Sequence, residues 1–203
     1  MRCLKPTYNK SLILSRLGYH KNRTVIPADA MHEVERLIFD AERTLCITAA
    51  YRIMNILQII VPKIILEDGT ILSGQRLSEL LKNSRQALIM GATGGKKIME
   101  LIDRLQAEGR MSEAVVIDAA ASEITDSALD LVMNYVEQSL RPKGKFLTKM
   151  RFSPGYGDFD IKQQEDFYRL LEGSNLGIEL NEAYLLIPEK SVFAIAGICG
   201  EHE

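Results

Sequence analysis

The stretch CITAAYRIMNILQIIVPKIILEDGTILS, Cys46 to Ser73, decides the fold class. β-Branched and long aliphatic side chains dominate it, as they do where a pleated surface is buried. Pro62 interrupts the run, and Asp68-Gly69 stands where a two-residue hairpin turn needs left-handed backbone. The segment therefore reads as antiparallel strands. Downstream come a short helix over Leu77 to Lys82, a buried strand ALIMGA (Ala87 to Ala92), and a helix with Ile98, Leu101, Ile102 and Leu105 on one side. Upstream, Asp29 can cap a helix whose apolar residues Met31, Val34, Leu37, Ile38, Ala41 and Leu45 recur every three or four positions. A shorter helix precedes it near Ser11 to Leu17.

From Ser112 to Leu140 there is neither proline nor glycine. Ile117, Ala121, Ile124, Ala128, Leu131 and Tyr135 mark one helical stripe, roughly 40 Å long at 1.5 Å per residue, although AVVIDAA at its start also fits a strand. Arg141-Pro142-Lys143-Gly144 stops the helix. A strand over Lys145 to Met150 leads into RFSPGYGDFD. Asp160 and Gln163 then resemble a capping box for a helix through Leu171. AYLLI and SVFAIAGI close the chain as a hairpin around Pro188-Glu189-Lys190. Strands and helices come in clusters and do not alternate, and no Gly/Ser- or Pro-rich linker divides them. This predicts a single α+β domain, mainly an antiparallel sheet with long flanking helices.

Composition narrows the function. Among 203 residues, 25 Lys+Arg against 27 Asp+Glu leave a formal charge of -2, too little positive charge to compete for nucleic-acid phosphates. No apolar run approaches the ~20 residues that cross a bilayer, and the first residues lack a signal-peptide core, so a cytoplasmic protein is expected. Cys3, Cys46 and Cys199 are odd in number and have no CxxC spacing, which predicts reduced thiols and no zinc ribbon.

Few residues carry chemistry. GATGGKK (Gly91 to Lys97) joins a strand to a helix, but its spacing matches neither a phosphate loop nor a dinucleotide fingerprint; a tight turn capped by Thr93 is the simpler reading. His20, His32 and His202 sit in no metal-binding pattern, and no GxSxG or Cys/His pair marks a nucleophile, so neither a catalytic residue nor a metal ligand is assigned. Glu123, Asp126, Asp130 and Glu137 share a face of the long helix, either as a solvated stripe or as a docking surface for a basic partner. The segment Arg151-Phe152-Ser153-Pro154-Gly155-Tyr156 stands out most: an arginine on a strand, then a rigid turn that exposes amides and a ring. Such a loop can hold a carboxylate in the arginine fork while the tyrosine packs on a base or faces a cation.

RFSPGYGDFDIKQQEDFYRLLE resembles a segment of the S-adenosylmethionine-binding activation domain of cobalamin-dependent methionine synthase. LNEAYLLIPEKSVFAIAGI is similar to that family's next segment, ALIMGATGG to its strand ending in Thr-Gly-Gly, and DSALDLVMNYVEQSLR to its long helix, with acids at Asp126 and Asp130 and a tyrosine at Tyr135. The resemblance implies that S-adenosylmethionine binds through Arg151 to its carboxylate, through Phe152, Ser153, Pro154 and Gly155 by backbone contacts, and through Tyr156 by packing. It further implies reductive reactivation of the synthase: one-electron reduction of cobalt(II), coupled to methyl transfer from S-adenosylmethionine. Cobalamin would come only through a partner's cobalamin-binding module, and the electron from a donor such as a flavodoxin. On this view the chain is a stand-alone accessory subunit of a methyltransferase, inactive by itself. In that family, further chain carrying an aromatic pair follows the last hairpin, whereas this sequence stops at Glu203, and the family's N-terminal aspartate has no clear counterpart. These departures leave a second expectation, a ligand-free assembly or capping protein for a corrinoid protein.

Overall fold

The computed structural model describes residues 1–19 and 27–200; His20 and His202 lie outside them. In chain order its elements are β1 (Arg2–Leu4), α1 (Lys10–Arg16), α2 (Ala28–Thr44), β2 (Ile47–Ile60), β3 (Lys63–Leu66), β4 (Ile71–Ser73), α3 (Gln75–Leu81), β5 (Gln86–Thr93), α4 (Lys96–Ala107), α5 (Met111–Leu140), β6 (Lys145–Leu147), α6 (Gln164–Leu170), β7 (Glu179–Leu180), β8 (Leu186–Ile187) and β9 (Ser191–Gly200). The main sheet has the order β4-β3-β2-β5-β9-β6, with β1 added beside β2, and every pairing is antiparallel. This is the expected α+β domain.

Strand β2 organises the sheet because its 14 residues serve two partners. Thr48 to Asn55 pair with β5, and Ile56 to Ile60 pair with β3. Strand β5 is buried from Ala87 to Thr93 and alternates, as period two requires. Leu88, Met90 and Ala92 face a core shared with α1, α2, α4 and α5, whereas Ala87 and Ile89 face a second core built with α3, α6 and Phe159. Helix α5 is helical throughout, including AVVIDAA. Its consecutive buried alanines, Ala119 to Ala121, spread around the helix, so small side chains meet neighbours on more than one side.

Several expectations need correction. Asp29 lies in the first turn of α2, whose N-cap is Pro27. The Asp68-Gly69 turn is a three-residue connection: Leu66 N–H donates to Thr70 O at 2.9 Å, with Gly69 left-handed at φ 85°. The apolar stripe of α5 runs on through Val132, Val136 and Leu140; Leu131 is half-buried and Tyr135 is exposed. The closing hairpin does not form. β8 pairs with β7, while β9 lies between β5 and β6. SVFAIAGI is apolar on both faces, so it belongs between two strands, whereas Leu185 and Ile187 remain largely exposed.

Candidate functional site

Strand β6 ends at Leu147, three residues short of the expected Met150, and this sets the position of Arg151. Thr148 N–H donates to Gly197 O at 2.8 Å, and Phe152 exchanges both backbone bonds with Ile195 at 2.9 and 2.8 Å. Lys149, Met150 and Arg151 thus stand opposite the single residue Ala196. The Thr148 hydroxyl closes this bulge, accepting from Gly197 N at 3.0 Å and donating to Met150 O at 2.8 Å. A bulge re-aims a side chain; Arg151 therefore leaves the strand and turns toward α5.

There its guanidinium meets two carboxylates. Nη2 lies 2.8 Å from Asp126 Oδ2 and 3.3 Å from the Asp126 carbonyl oxygen, and Nη1 donates to Asp130 Oδ1. The arginine side chain is 20% exposed, against 43% and 59% for the two aspartates. One cation between acids at i and i+4 relieves their mutual repulsion. The acidic face is thus neither a bare solvated stripe nor a surface of uniform charge. One turn earlier, buried Glu123 accepts from Arg16 Nε at 3.3 Å, which ties α1 to α5. Burial pushes the Glu123 carboxyl above the usual range; Arg16 opposes this, while nearby Asp126 and Asp130 add to it.

The loop after Arg151 is fixed from below by aromatic rings. Phe152, Phe159, Phe167 and Phe193 form a column with successive centroids 6.1, 6.0 and 6.2 Å apart, separations at which rings attract beyond simple burial. The column ends over Gly91, where a Cβ would stand 2.6 Å from the Phe193 ring. Above it, Gly155, left-handed at φ 94°, donates to Phe159 O at 2.7 Å, and Phe159 N–H donates to Tyr156 O at 3.0 Å. Asp158 Oδ2 accepts from Gln75 N at 2.5 Å, linking the loop to the start of α3. Pro154 is buried, Ser153 is half-buried, and Tyr156 projects with 69% of its surface exposed. Asp160 accepts from Lys162 N at 2.9 Å. The expected capping box is incomplete because the Gln163 amide instead brackets the backbone of Ser73, accepting at 2.6 Å and donating at 2.8 Å.

The turn GATGG is internally occupied. Gly94 N–H donates to Lys190 O at 2.7 Å, Gly95 N–H to Thr93 Oγ1 at 3.2 Å, and Cys46 N–H to Gly94 O at 3.0 Å. Gly95, at φ 81°, is the N-cap of α4, so Thr93 braces the turn without capping the helix. Gly94 must lack a side chain, since a Cβ there would lie 2.6 Å from Leu45. Among the described residues no three metal-ligating side chains gather, and no helix is long and apolar enough to cross a membrane. The three cysteines are unbonded to one another.

No family model matches this sequence, and no curated protein does. Among solved structures the chain is similar to the MetH reactivation domain bound to AdoHcy, with a TM-score of 0.65 and 15% identity over 94% of this chain and 73% of that one. The chain has the fold of that reactivation domain. The similarity extends well beyond the segments that suggested it in the sequence. Asp126 and Asp130 join the candidate site through Arg151, a contact the sequence did not predict. The signal was present, in two acids one turn apart with no basic residue on that face of their own helix.

Proposed function

We propose that this chain binds S-adenosylmethionine and serves in the reductive reactivation of a cobalamin-dependent methionine synthase. The observation that carries the reading is a guanidinium flanked by two exposed carboxylates, with an exposed tyrosine five residues further along the chain, on the fold of a domain solved with AdoHcy bound. An amino-acid head group carries one carboxylate and one ammonium. Arg151 fits the first as a bidentate fork, and an aspartate released from Arg151 fits the second. Asp130 is the more exposed of the two and the easier to displace. It also borders a recess of about 290 Å³ with Thr7, Ser127 and Tyr135, room for part of a ligand that otherwise lies along the surface. Phe152, Ser153, Pro154 and Gly155 offer backbone contacts, and Tyr156 a ring to pack on.

A corrinoid held by the partner protein supplies the methyl acceptor and the redox chemistry. The residues of this chain bind, orient and shield the donor; none is assigned as acid, base or nucleophile. The partners of this reading are the cobalamin-binding module of a methionine synthase and an electron donor of the flavodoxin class. A second reading, a ligand-free cap for a corrinoid protein, is favoured by one observation: both arms of the Arg151 fork already hold carboxylates. Calorimetric titration with S-adenosylmethionine and S-adenosylhomocysteine decides between them. Saturable heat with one site per chain supports the first, and no heat at millimolar ligand supports the second.

A further inference from the structure

At the far end of β9 the chain forms a cavity of about 630 Å³ that the reactivation reading does not use. Arg85 at the entry to β5, Lys143 in the turn after α5, and Lys145 on β6 line it, and among the described residues no carboxylate does. Arg36, Arg110, Arg141 and Arg169, by contrast, are each paired to acids, and the formal net charge is -2. Three cations from three separate segments, gathered into a concave site that no described carboxylate lines, concentrate positive potential where a small anion can enter.

The rest of the lining points to more than a bare anion. Phe146, on the outermost strand of the sheet, is 44% exposed and also lines the cavity. The Asn83 side-chain amide offers a donor and an acceptor, while Gln86 donates through Nε2 to Asn55 Oδ1 at 3.0 Å and accepts at Oε1 from Lys145 Nζ at 2.9 Å, which fixes that ammonium at the wall. A volume of this size lies within the range of small-ligand sites. The cavity is separate from the Arg151 site. Lys145 pairs with Gly200 and Phe152 with Ile195, five positions along β9, or roughly 17 Å at about 3.3 Å per residue.

We infer that this cavity binds a phosphorylated ligand that carries an aromatic ring, of the nucleoside diphosphate class, with Arg85, Lys143 and Lys145 on the phosphates and Phe146 against the base. The probe is ADP, titrated into the purified protein at low ionic strength, with adenosine and inorganic phosphate as the two partial ligands. ADP is expected to bind at least tenfold more tightly than either partial ligand, and to weaken as salt is raised. Lys143→Ala with Lys145→Ala should weaken ADP at least tenfold. Phe146→Ala should weaken ADP several-fold while leaving inorganic phosphate unchanged. All three substitutions are at least partly exposed, and matching circular dichroism spectra establish that the variants are folded. Saturating S-adenosylhomocysteine should leave the ADP isotherm in place, whether or not it binds at Arg151. No ADP binding, ADP no tighter than inorganic phosphate, displacement of ADP by S-adenosylhomocysteine, or an unchanged affinity in the double lysine variant would each overturn the inference.

Discussion

Arg151 and Asp126 face each other at 2.8 Å across the gap between the bulged sheet edge and α5, so the arginine expected to clamp a ligand also joins two layers of the fold. Replacement by alanine removes both roles. If Arg151 holds the ligand carboxylate, Arg151→Ala weakens S-adenosylhomocysteine about 10-fold or more, since losing a charged hydrogen bond costs about 1.5–3 kcal/mol and 1.4 kcal/mol is tenfold. Calorimetry on wild type and variant measures it, and equal affinities would remove Arg151 from the site.

Charge reversal on α5 tests the second role. With Asp126→Lys and Asp130→Lys, Arg151 stands between two cations in place of two anions. The expected loss is about 1–2 kcal/mol of stability, read from urea unfolding, more than the roughly 0.5 kcal/mol typical of surface changes and discounted because both aspartates are substantially exposed. A midpoint equal to that of wild type would mean that the ion pairs are inert. Raising salt should narrow the difference.

Glu123 gives a pH dependence with a definite sign. Its native carboxyl titrates above the ordinary value of 4.5, chiefly because it is buried. Between 4.5 and that raised value the native state therefore holds a proton that the unfolded chain has released, and stability falls as pH rises through this window. Glu123→Gln abolishes this contribution and leaves only Arg16, itself half exposed, without its partner. Unfolding midpoints from pH 4 to 7 should fall less steeply with pH in the variant. Parallel curves would contradict the assignment.

Gly91→Ala drives a methyl group to within 2.6 Å of the Phe193 ring and 3.0 Å of Leu171. Overpacking of this kind costs about 1–3 kcal/mol. Thermal unfolding measures it, and Phe193→Leu in the same chain should recover part of the loss by making room. A neutral Gly91→Ala would show that the aromatic column can shift.

Gln163→Ala removes two bonds to the Ser73 backbone. At about 0.5–1.5 kcal/mol each, the expected loss for the two is about 1–3 kcal/mol, with faster hydrogen exchange at Ser73. Gln163→Glu keeps the acceptor and should recover part of the protection. Unchanged exchange in both would assign the link to packing alone.

Patterning made the fold class legible. The β-branched run of Cys46 to Ser73, the proline-free span before Leu140 and the doubly apolar SVFAIAGI each became the element type their residues favour. Pairing was less legible. Whether β9 meets β8 or β5 depends on burial of both its faces, and hairpin proximity in sequence points the other way. The site was half visible. Arg151 and the PGY turn announce themselves by residue type, whereas the partnership with Asp126 and Asp130 follows from a bulge made by the Thr148 hydroxyl, and single hydroxyls leave no periodic signature. Gln163 shows the same limit: its spacing from Asp160 is that of a cap, yet Ser73, distant in sequence and near in space, captures its amide.

The column of Phe152, Phe159, Phe167 and Phe193 bears on the thermodynamics of ligand capture. A loop whose underside is already stacked has little backbone freedom left to surrender when a ligand arrives. If S-adenosylmethionine binds here as proposed, the entropy lost is confined to a few side chains, Tyr156 and the displaced aspartate foremost. At about 0.5–1.5 kcal/mol per immobilised side chain, that is far less than ordering an open loop would demand at about 1–2 kcal/mol per residue. On that reading the four rings would make their contribution to affinity during folding, before any ligand is present.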